Sequence, residues 1–210
     1  MAILDGGPNG GFSGKVGSVV GYLRYGKWLI RALPKKRKDK PSSKQSLSRS
    51  GFTAVQHFLG PLLPFIRVGF NLDAQSKNMS AHNAAKSNIM RMALNTEGTI
   101  DYSKVNLSSG NLPGVKEPAV AADDAGLHFS WRNNQNEPGV GYNDQVMIAG
   151  YAEQLHQAFF ILSGARRSEG YEKMSLDTIV TGHTYHVWMA FISDDRRRIS
   201  TSVYVGEVDV

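Results

Sequence analysis

The first forty residues combine frequent glycines with two short runs of β-forming residues. Residues 16–23 and 28–30 hold valines, aromatics and other large apolar side chains on either side of Gly26. This pattern predicts a β-hairpin that turns at that glycine. An isolated hairpin is only marginally stable in water, so we expect this arm to lie on the rest of the protein or on a neighbouring subunit.

After this region, the apolar residues are spaced three or four residues apart, as on one face of a helix. Between residues 47 and 62 they recur about once per helical turn, and Ser42 and Gln45 stand just before them at the spacing of a capping box. Gly60 and Pro61 end or kink this helix, and a further helix is predicted from Ser80 to about residue 94. We expect two or three short helices packed together.

From about residue 99 the side-chain pattern alternates with a period of two residues. Residues 127–132, 146–152 and 185–190 alternate between two sets of side chains, as antiparallel strands with one buried face do. Turn-rich breaks separate about seven such strands, which is the number and spacing of a small β-sandwich. Trp131, the strand at 185–191 and a terminal strand at 200–208 make the pattern close to a fibronectin type III-like module.

The fold class predicted from these patterns is α+β and mostly β. It consists of a glycine-rich basic hairpin arm over residues 1–40, a small helical region over 41–98 and a C-terminal antiparallel fibronectin type III-like sandwich over 99–210.

Composition limits the chemistry that the chain can carry. Among 210 residues there is no cysteine and 41% are hydrophobic, which supplies a sizeable core and excludes disulfides, thiolate metal sites and a cysteine nucleophile. No segment reaches the roughly 20 apolar residues of a bilayer span, so we expect no membrane insertion. The N-terminal residues lack the pattern of a signal peptide. We expect cytoplasmic synthesis, and a final place in a virion-like or extracellular assembly stays open.

The net charge of +6 is unevenly distributed. Residues 1–50 hold eleven bases against two acids, residues 51–96 four against one, and residues 97–210 nine against fifteen. The three segments therefore carry +9, +3 and −6. Such asymmetry attracts either a polyanion or the acidic part of another copy to the basic end.

The sequence carries no complete catalytic, cofactor-binding or metal-binding constellation. Gly21 to Lys27 has the glycine and lysine spacing of a phosphate-binding loop, but Trp28 occupies the place of the hydroxyl that would bind magnesium. His183 and His186 lie in strand-like sequence, where a spacing of three puts them on opposite faces, and zinc needs three or four convergent ligands. We therefore expect no enzyme activity, no cofactor, no metal and no small-molecule substrate.

A basic run is the sharpest charge feature. It consists of Lys35, Lys36, Arg37, Lys38 and Lys40. It could contact nucleic-acid phosphates while nearby aromatic side chains stack on bases, form a solvated linker, or dock on the acidic sandwich of another subunit.

Several segments together resemble an uncharacterised bacterial family, number 6266 among the domains of unknown function. They are GGFSGKVGSVVG at 10–21, Trp28 to Arg31 with Pro34, Gln45 to Phe52, IDYSKVNLSSGNL at 100–112 and the closing SVYVGEVDV. The resemblance covers nearly the whole chain and implies no activity. Tyr25-Gly26-Lys27-Trp28 departs from the W-K-G-like order usual at this turn. The opening is similar, more weakly, to phage-type structural proteins that carry a C-terminal immunoglobulin-like, fibronectin type III-like domain, an analogy of architecture.

The sequence favours a non-enzymatic structural subunit that assembles with other copies of itself into a filament, lattice or virion-like particle. Arm exchange or strand addition would join the copies. The expected subunit interface is Gly14, Gly17, Val19, Val20, Gly21, Tyr22, Trp28 and Ile30. The alternative is a nucleic-acid-binding protein that uses the basic arm, and a secreted carbohydrate-active or adhesin-like module is less favoured because no export signal is recognisable.

Overall fold

A computed structural model describes residues 2–5, 10–35 and 40–210 of the chain. Backbone contacts divide it into two compact units, Met1–Ser42 and Ser43–Val210. Each unit has its own sheets, and the second also holds the helices. The protein is mostly β, with three antiparallel sheets and four helices within the described residues.

The first unit is a four-stranded antiparallel sheet, which is larger than the single hairpin predicted for this region. Its strands follow one another in chain order as β1 (Ala2–Asp5), β2 (Gly11–Val16), β3 (Val19–Arg24) and β4 (Lys27–Ala32). The chain does turn at Gly26. Tyr25 and Gly26 have φ values of 50° and 72°, and positive φ at both central residues is what a two-residue type I′ hairpin turn requires.

The second unit begins with four short helices. They are α1 (Ser43–Leu59), α2 (Leu63–Gly69), α3 (Asn71–Ser76) and α4 (Ala81–Met92). The helix predicted to start at Ser80 is α4, and the Ser80 side chain caps it by accepting a hydrogen bond from the backbone N–H of Asn83. Pro61 lies in the break between α1 and α2, as predicted. Among the described residues, none of these helices is long and apolar enough to cross a membrane.

Seven strands follow the helices. They are β5 (Lys116–Asp123), β6 (Gly126–Arg132), β7 (Gln145–Ala152), β8 (Gln157–Ile161), β9 (Tyr171–Met174), β10 (Thr184–Ile192) and β11 (Val203–Asp209). They form one sheet in the order β11-β10-β7-β8 and another in the order β5-β6-β9.

The second unit has three layers. Residues of α1, α2 and α4 pack with one set of β7 and β10 side chains, including Tyr151 and Trp188. The alternate set, including Ile148 and Phe191, packs with β6 side chains such as Phe129. The four-stranded sheet therefore lies between the helices and the three-stranded sheet.

This layering corrects the expectation that the strands are only half-buried. From Val146 to Ala152, every residue of β7 is buried, and β10 is buried without a break from Val187 to Ile192. The helices cover the face that the alternating sequence pattern assigned to solvent. Small or apolar residues such as Ala149 and Ala190 on that face are compatible with this burial.

Candidate interaction surface on the N-terminal sheet

Strands β3 and β4 present one face that carries no charged residue. Their register pairs Leu23 with Trp28 and Gly21 with Ile30, and paired residues of antiparallel strands lie on the same face. This apolar face consists of Val19, Gly21, Leu23, Trp28, Ile30 and Ala32. Its large side chains are unusually exposed, at 55% for Leu23, 40% for Trp28 and 65% for Ile30.

The opposite face of the same strands is basic. It consists of Val20, Tyr22, Arg24, Lys27, Leu29 and Arg31, and the register adds Lys15 from β2 opposite Val20. The Arg31 guanidinium lies over the Tyr22 ring, 5.7 Å from its centroid. Within the described residues, none of the four bases on this basic face forms a salt bridge. The face is therefore an uncompensated cluster of positive charge.

Two glycines of the N-terminal sheet allow residues of other strands to approach the backbone closely. A Cβ at Gly21 would lie 2.3 Å from the carbonyl oxygen of Phe12, and a Cβ at Gly11 would lie 2.1 Å from the Trp28 indole. Gly14 bends β2 with a φ of 111°, a value that other residues rarely adopt. Gly21, which the sequence placed in the expected subunit interface, is thus closely approached by Phe12 of its own chain.

The first unit has almost no interior of its own. Gly21 is the only buried residue among those of Met1–Ser42 whose burial is described, and every residue of β4 is exposed. Burying a large apolar side chain contributes roughly 1.5–3 kcal/mol, and this unit gains little of that from its own packing. It retains apolar surface that a partner could cover.

Strand β4 is also an edge strand, and among the residues that the structure describes no other strand pairs with its outer backbone groups. The N–H of Leu33 donates to the carbonyl of Ser18 at 2.9 Å, and in an antiparallel pair every second residue along the strand repeats this bonded position. By this alternation, the β4 residues bonded to β3 are Lys27, Leu29 and Arg31. Those that direct N–H and C=O toward the free edge are Trp28, Ile30 and Ala32.

The structure distributes the predicted interface residues over different environments. Trp28 and Ile30 lie on the exposed edge strand, whereas Val19, Val20 and Tyr22 are partly buried in β3. Gly14 lies in the bend of β2, and Gly17 lies in the turn between β2 and β3 with a φ of 55°.

Of the predicted polyanion-binding residues, Lys35 and Lys40 are exposed. Lys36, Arg37 and Lys38 lie outside the described residues. The sequence interpretation missed Leu23 on the apolar face and the bases of the basic face, although strict alternation over 19–24 and 27–32 marks both faces.

One histidine of the second unit, His186, lies among aromatic side chains. No three His, Asp or Glu side chains within the described ranges could hold a metal ion. His186 stacks on Tyr102 with ring centroids 4.1 Å apart, and its Nδ1 lies 3.0 Å from the Tyr204 hydroxyl. Burial lowers the pKa of His186, although Glu207 opposes this shift. These contacts fit a side chain packed at the rim of the core.

One arginine is entirely buried in the second unit. The Arg167 guanidinium donates to Asn134 Oδ1 at 2.8 Å, the Pro113 carbonyl at 2.9 Å and Asp144 Oδ2 at 3.3 Å. It also lies over the Phe191 ring, 3.8 Å from the centroid. Desolvation lowers the pKa of Arg167, while Asp144 opposes the shift. The group ties the 113–114 segment and the 134–144 loop together beside Phe191 of β10.

Comparison with known proteins adds a family. The model of a family described as one of unknown function matches residues 11–206. This span includes β2 to β4 as well as nearly all of the second unit. Comparison with curated proteins finds no match for the chain.

Proposed function

The chain belongs to the family of unknown function 6266, and within it we propose that this protein is a non-enzymatic structural subunit that assembles with copies of itself through its N-terminal sheet. The observation that carries the proposal is the exposure of β4. Every residue of this edge strand is exposed, and the apolar side chains on and next to it are in solvent. Strand addition would satisfy the backbone groups and cover these side chains in one step.

Charge favours one way of pairing two β4 strands. In an antiparallel pair centred on Ile30, each Ile30 faces the other, and Trp28 faces Ala32 of the second copy. On the basic face, Leu29 then faces Arg31, so no two bases are directly opposite. Shifting the centre to Leu29 would place Lys27 opposite Arg31, and like charges in that position are destabilising. The Ile30-centred pair is therefore the one we propose.

Growth beyond a pair needs a second contact. The first fifty residues carry +9 and residues 97–210 carry −6, so the basic part of one copy would attract the acidic part of another. A heterologous contact of this kind that does not close on itself generates a filament or a lattice. A virion-like particle is the closed counterpart.

We also propose that β5 to β11 form a fibronectin type III-like sandwich. The three-strand and four-strand orders support it. So does Tyr185, which lies near the start of β10 and donates its hydroxyl to the Val180 carbonyl at 3.1 Å, as a tyrosine corner does in such sandwiches. In an assembly this sandwich would be the rigid body that the N-terminal sheets connect.

Cysteine cross-linking tests the proposed pair directly, because the natural chain has no cysteine. Directly opposite residues in a bonded antiparallel pair have Cα atoms about 5.5 Å apart, which is within the range of a disulfide. We expect mild oxidation to convert full-length Ile30→Cys into a covalent dimer. Leu23→Cys is the control, since Leu23 shares the apolar face but does not lie on the edge.

A second variant tests whether the edge drives assembly. Ile30→Pro removes an N–H that points away from β3, so the β3–β4 ladder is kept while strand addition is blocked. We expect sedimentation velocity to show smaller species than for the natural chain, with Ile30→Val unchanged. If Ile30→Pro assembles normally and Ile30→Cys does not cross-link above the control, the proposal is wrong.

The basic face favours a second function, the binding of nucleic acid. Its bases, Lys15, Arg24, Lys27 and Arg31, could contact phosphates. In that case affinity for single-stranded DNA would fall steeply with salt, and Lys27→Glu with Arg31→Glu would reduce the magnitude of the salt slope by about 1.4. Lys77→Glu with Arg91→Glu is the control, because it changes the net charge by the same amount at exposed positions of the second unit, just after α3 and on α4. Absence of a salt-dependent complex would exclude this alternative.

A further inference from the structure

A cavity in the second unit lies where α2 and α3 meet the ends of β8 and β10. Its volume is about 390 Å³, which falls in the range of small-molecule sites, about 300–1,000 Å³. Its lining residues are Arg67, Val68, Asn71, Leu72, Leu162, Ser163, Ile192, Arg196 and Ile199. The N-terminal sheet contributes none of these residues.

The walls are aliphatic and the remaining lining groups are polar or cationic. Ile192 and Ile199 are almost fully buried, and Leu72 and Leu162 are partly buried beside them. An aliphatic chain placed here would leave water without forcing a buried polar group to lose its partner. The cavity therefore suits the apolar part of a ligand.

Arg196 is held in place at this cavity by its neighbours. Its Nη2 donates to Gln145 Oε1 and to Ser163 Oγ, each at 2.8 Å, and the Ser163 hydroxyl donates to Gln145 Oε1 at 2.7 Å. Its φ of 58° lies in the left-handed region, a conformation that costs a non-glycine residue on the order of 1 kcal/mol. In the described parts of the chain, the other guanidinium nitrogens of Arg196 make no hydrogen bond, and they are available to an anion.

Arg67 supplies a second positive charge. It is exposed near the end of α2, and within the described residues its guanidinium has no hydrogen-bond or salt-bridge partner. The lining contains no Asp or Glu. The nearby Asp195 carboxylate accepts hydrogen bonds from Ser193 and from the backbone N–H of Arg197 within its own loop. The two arginines therefore give the cavity a net positive charge.

We propose that this cavity binds a medium-chain aliphatic carboxylate, with Arg67 and Arg196 holding the carboxylate and the aliphatic walls holding the tail. Charge-assisted hydrogen bonds to arginine are the strong ones among protein hydrogen bonds. The carboxylate would orient the ligand at the two guanidinium groups, and the tail would displace water from the walls. This site is independent of the proposed assembly function.

Isothermal titration calorimetry of the full-length protein with sodium octanoate tests the site. We expect a dissociation constant below about 1 mM for a ligand of this size. Octanol, which has the tail without the charge, and acetate, which has the charge without the tail, should each bind at least about tenfold more weakly.

Arginine variants connect this binding to the cavity. Arg67→Gln and Arg196→Gln should each weaken octanoate binding about tenfold. Arg91→Gln, the same change on the exposed surface of α4, should leave affinity within about twofold. Circular dichroism verifies that each variant is folded. The proposal is overturned if the dissociation constant for octanoate exceeds about 1 mM, if octanol binds equally well, or if both cavity variants match Arg91→Gln.

Discussion

The two units contain antiparallel sheets with very different surroundings. Trp188 on β10 is fully buried and donates its indole N–H to the Val105 carbonyl at 3.0 Å, whereas Trp28 on β4 is 40% exposed. The sheet around Trp188 has a layer on each face. The sheet around Trp28 leaves apolar side chains in solvent. A tryptophan in a strand thus belongs to an interior in one unit and to an exposed surface in the other.

Replacing each tryptophan by alanine should produce the largest difference in stability between the two units. Trp188→Ala should lower the free energy of unfolding of the second unit by about 3–5 kcal/mol, because it empties a closely packed site. Trp28→Ala should lower the free energy of unfolding of the first unit by less than about 1 kcal/mol, because little packing is lost. Urea unfolding of dilute protein measures both. Equal losses would show that the two sheets are not energetically distinct.

A matched pair of glycine variants gives a smaller effect. A Cβ at Gly150 would lie 2.2 Å from the Phe159 ring, so Gly150→Ala should destabilise the second unit by about 1–3 kcal/mol through overpacking. Gly21→Ala should displace Phe12 and open the N-terminal sheet instead. Hydrogen exchange would then increase in β2 and β3 while urea unfolding of the second unit stays unchanged. Faster exchange in β7 of the Gly21 variant would contradict this separation.

The smallest expected effect is a change in how the free energy of unfolding of the second unit depends on pH. Burial lowers the pKa of His186 below its ordinary value of 6.5, so the unfolded chain takes up the proton at higher pH than the folded chain. The contribution of neutral His186 to the free energy of unfolding is fully present above about pH 6.5, and it is lost as the pH falls toward the folded-state pKa. His186→Gln should reduce that dependence in unfolding experiments between about pH 7.5 and 5. An unchanged pH profile would show that His186 does not contribute.

Short-range patterns in the sequence predicted most of the secondary structure. Ser80 marks the start of α4, Pro61 separates α1 from α2, and seven strands follow in the part of the chain where the period is two. These features depend on capping, on proline's missing N–H and on side-chain alternation, all of which act within a few residues. The same patterns gave one hairpin where the structure has four strands, because β1 is short and the glycines of β2 hide its period.

The candidate surface was predicted only in part. Trp28 and Ile30, expected at the subunit interface, are exposed, whereas Gly21, also expected there, lies against Phe12 of its own chain. That these residues join two copies stays a prediction. No local pattern shows which backbone crosses a glycine. Likewise, Arg67 and Arg196 are separated by more than a hundred residues, and only folding brings them to the same cavity.

The amino-acid sequence alone was sufficient for the order of the helices and of the strands that follow them, the absence of cysteine chemistry and the concentration of positive charge near the N-terminal end. These follow from residue identity and from periods of two to four residues. The tertiary structure decided which faces are covered, because burial depends on the layer that packs against a strand and not on the strand alone. It enclosed β7 and β10 between two layers and left β4 exposed, although all three strands carry large apolar side chains.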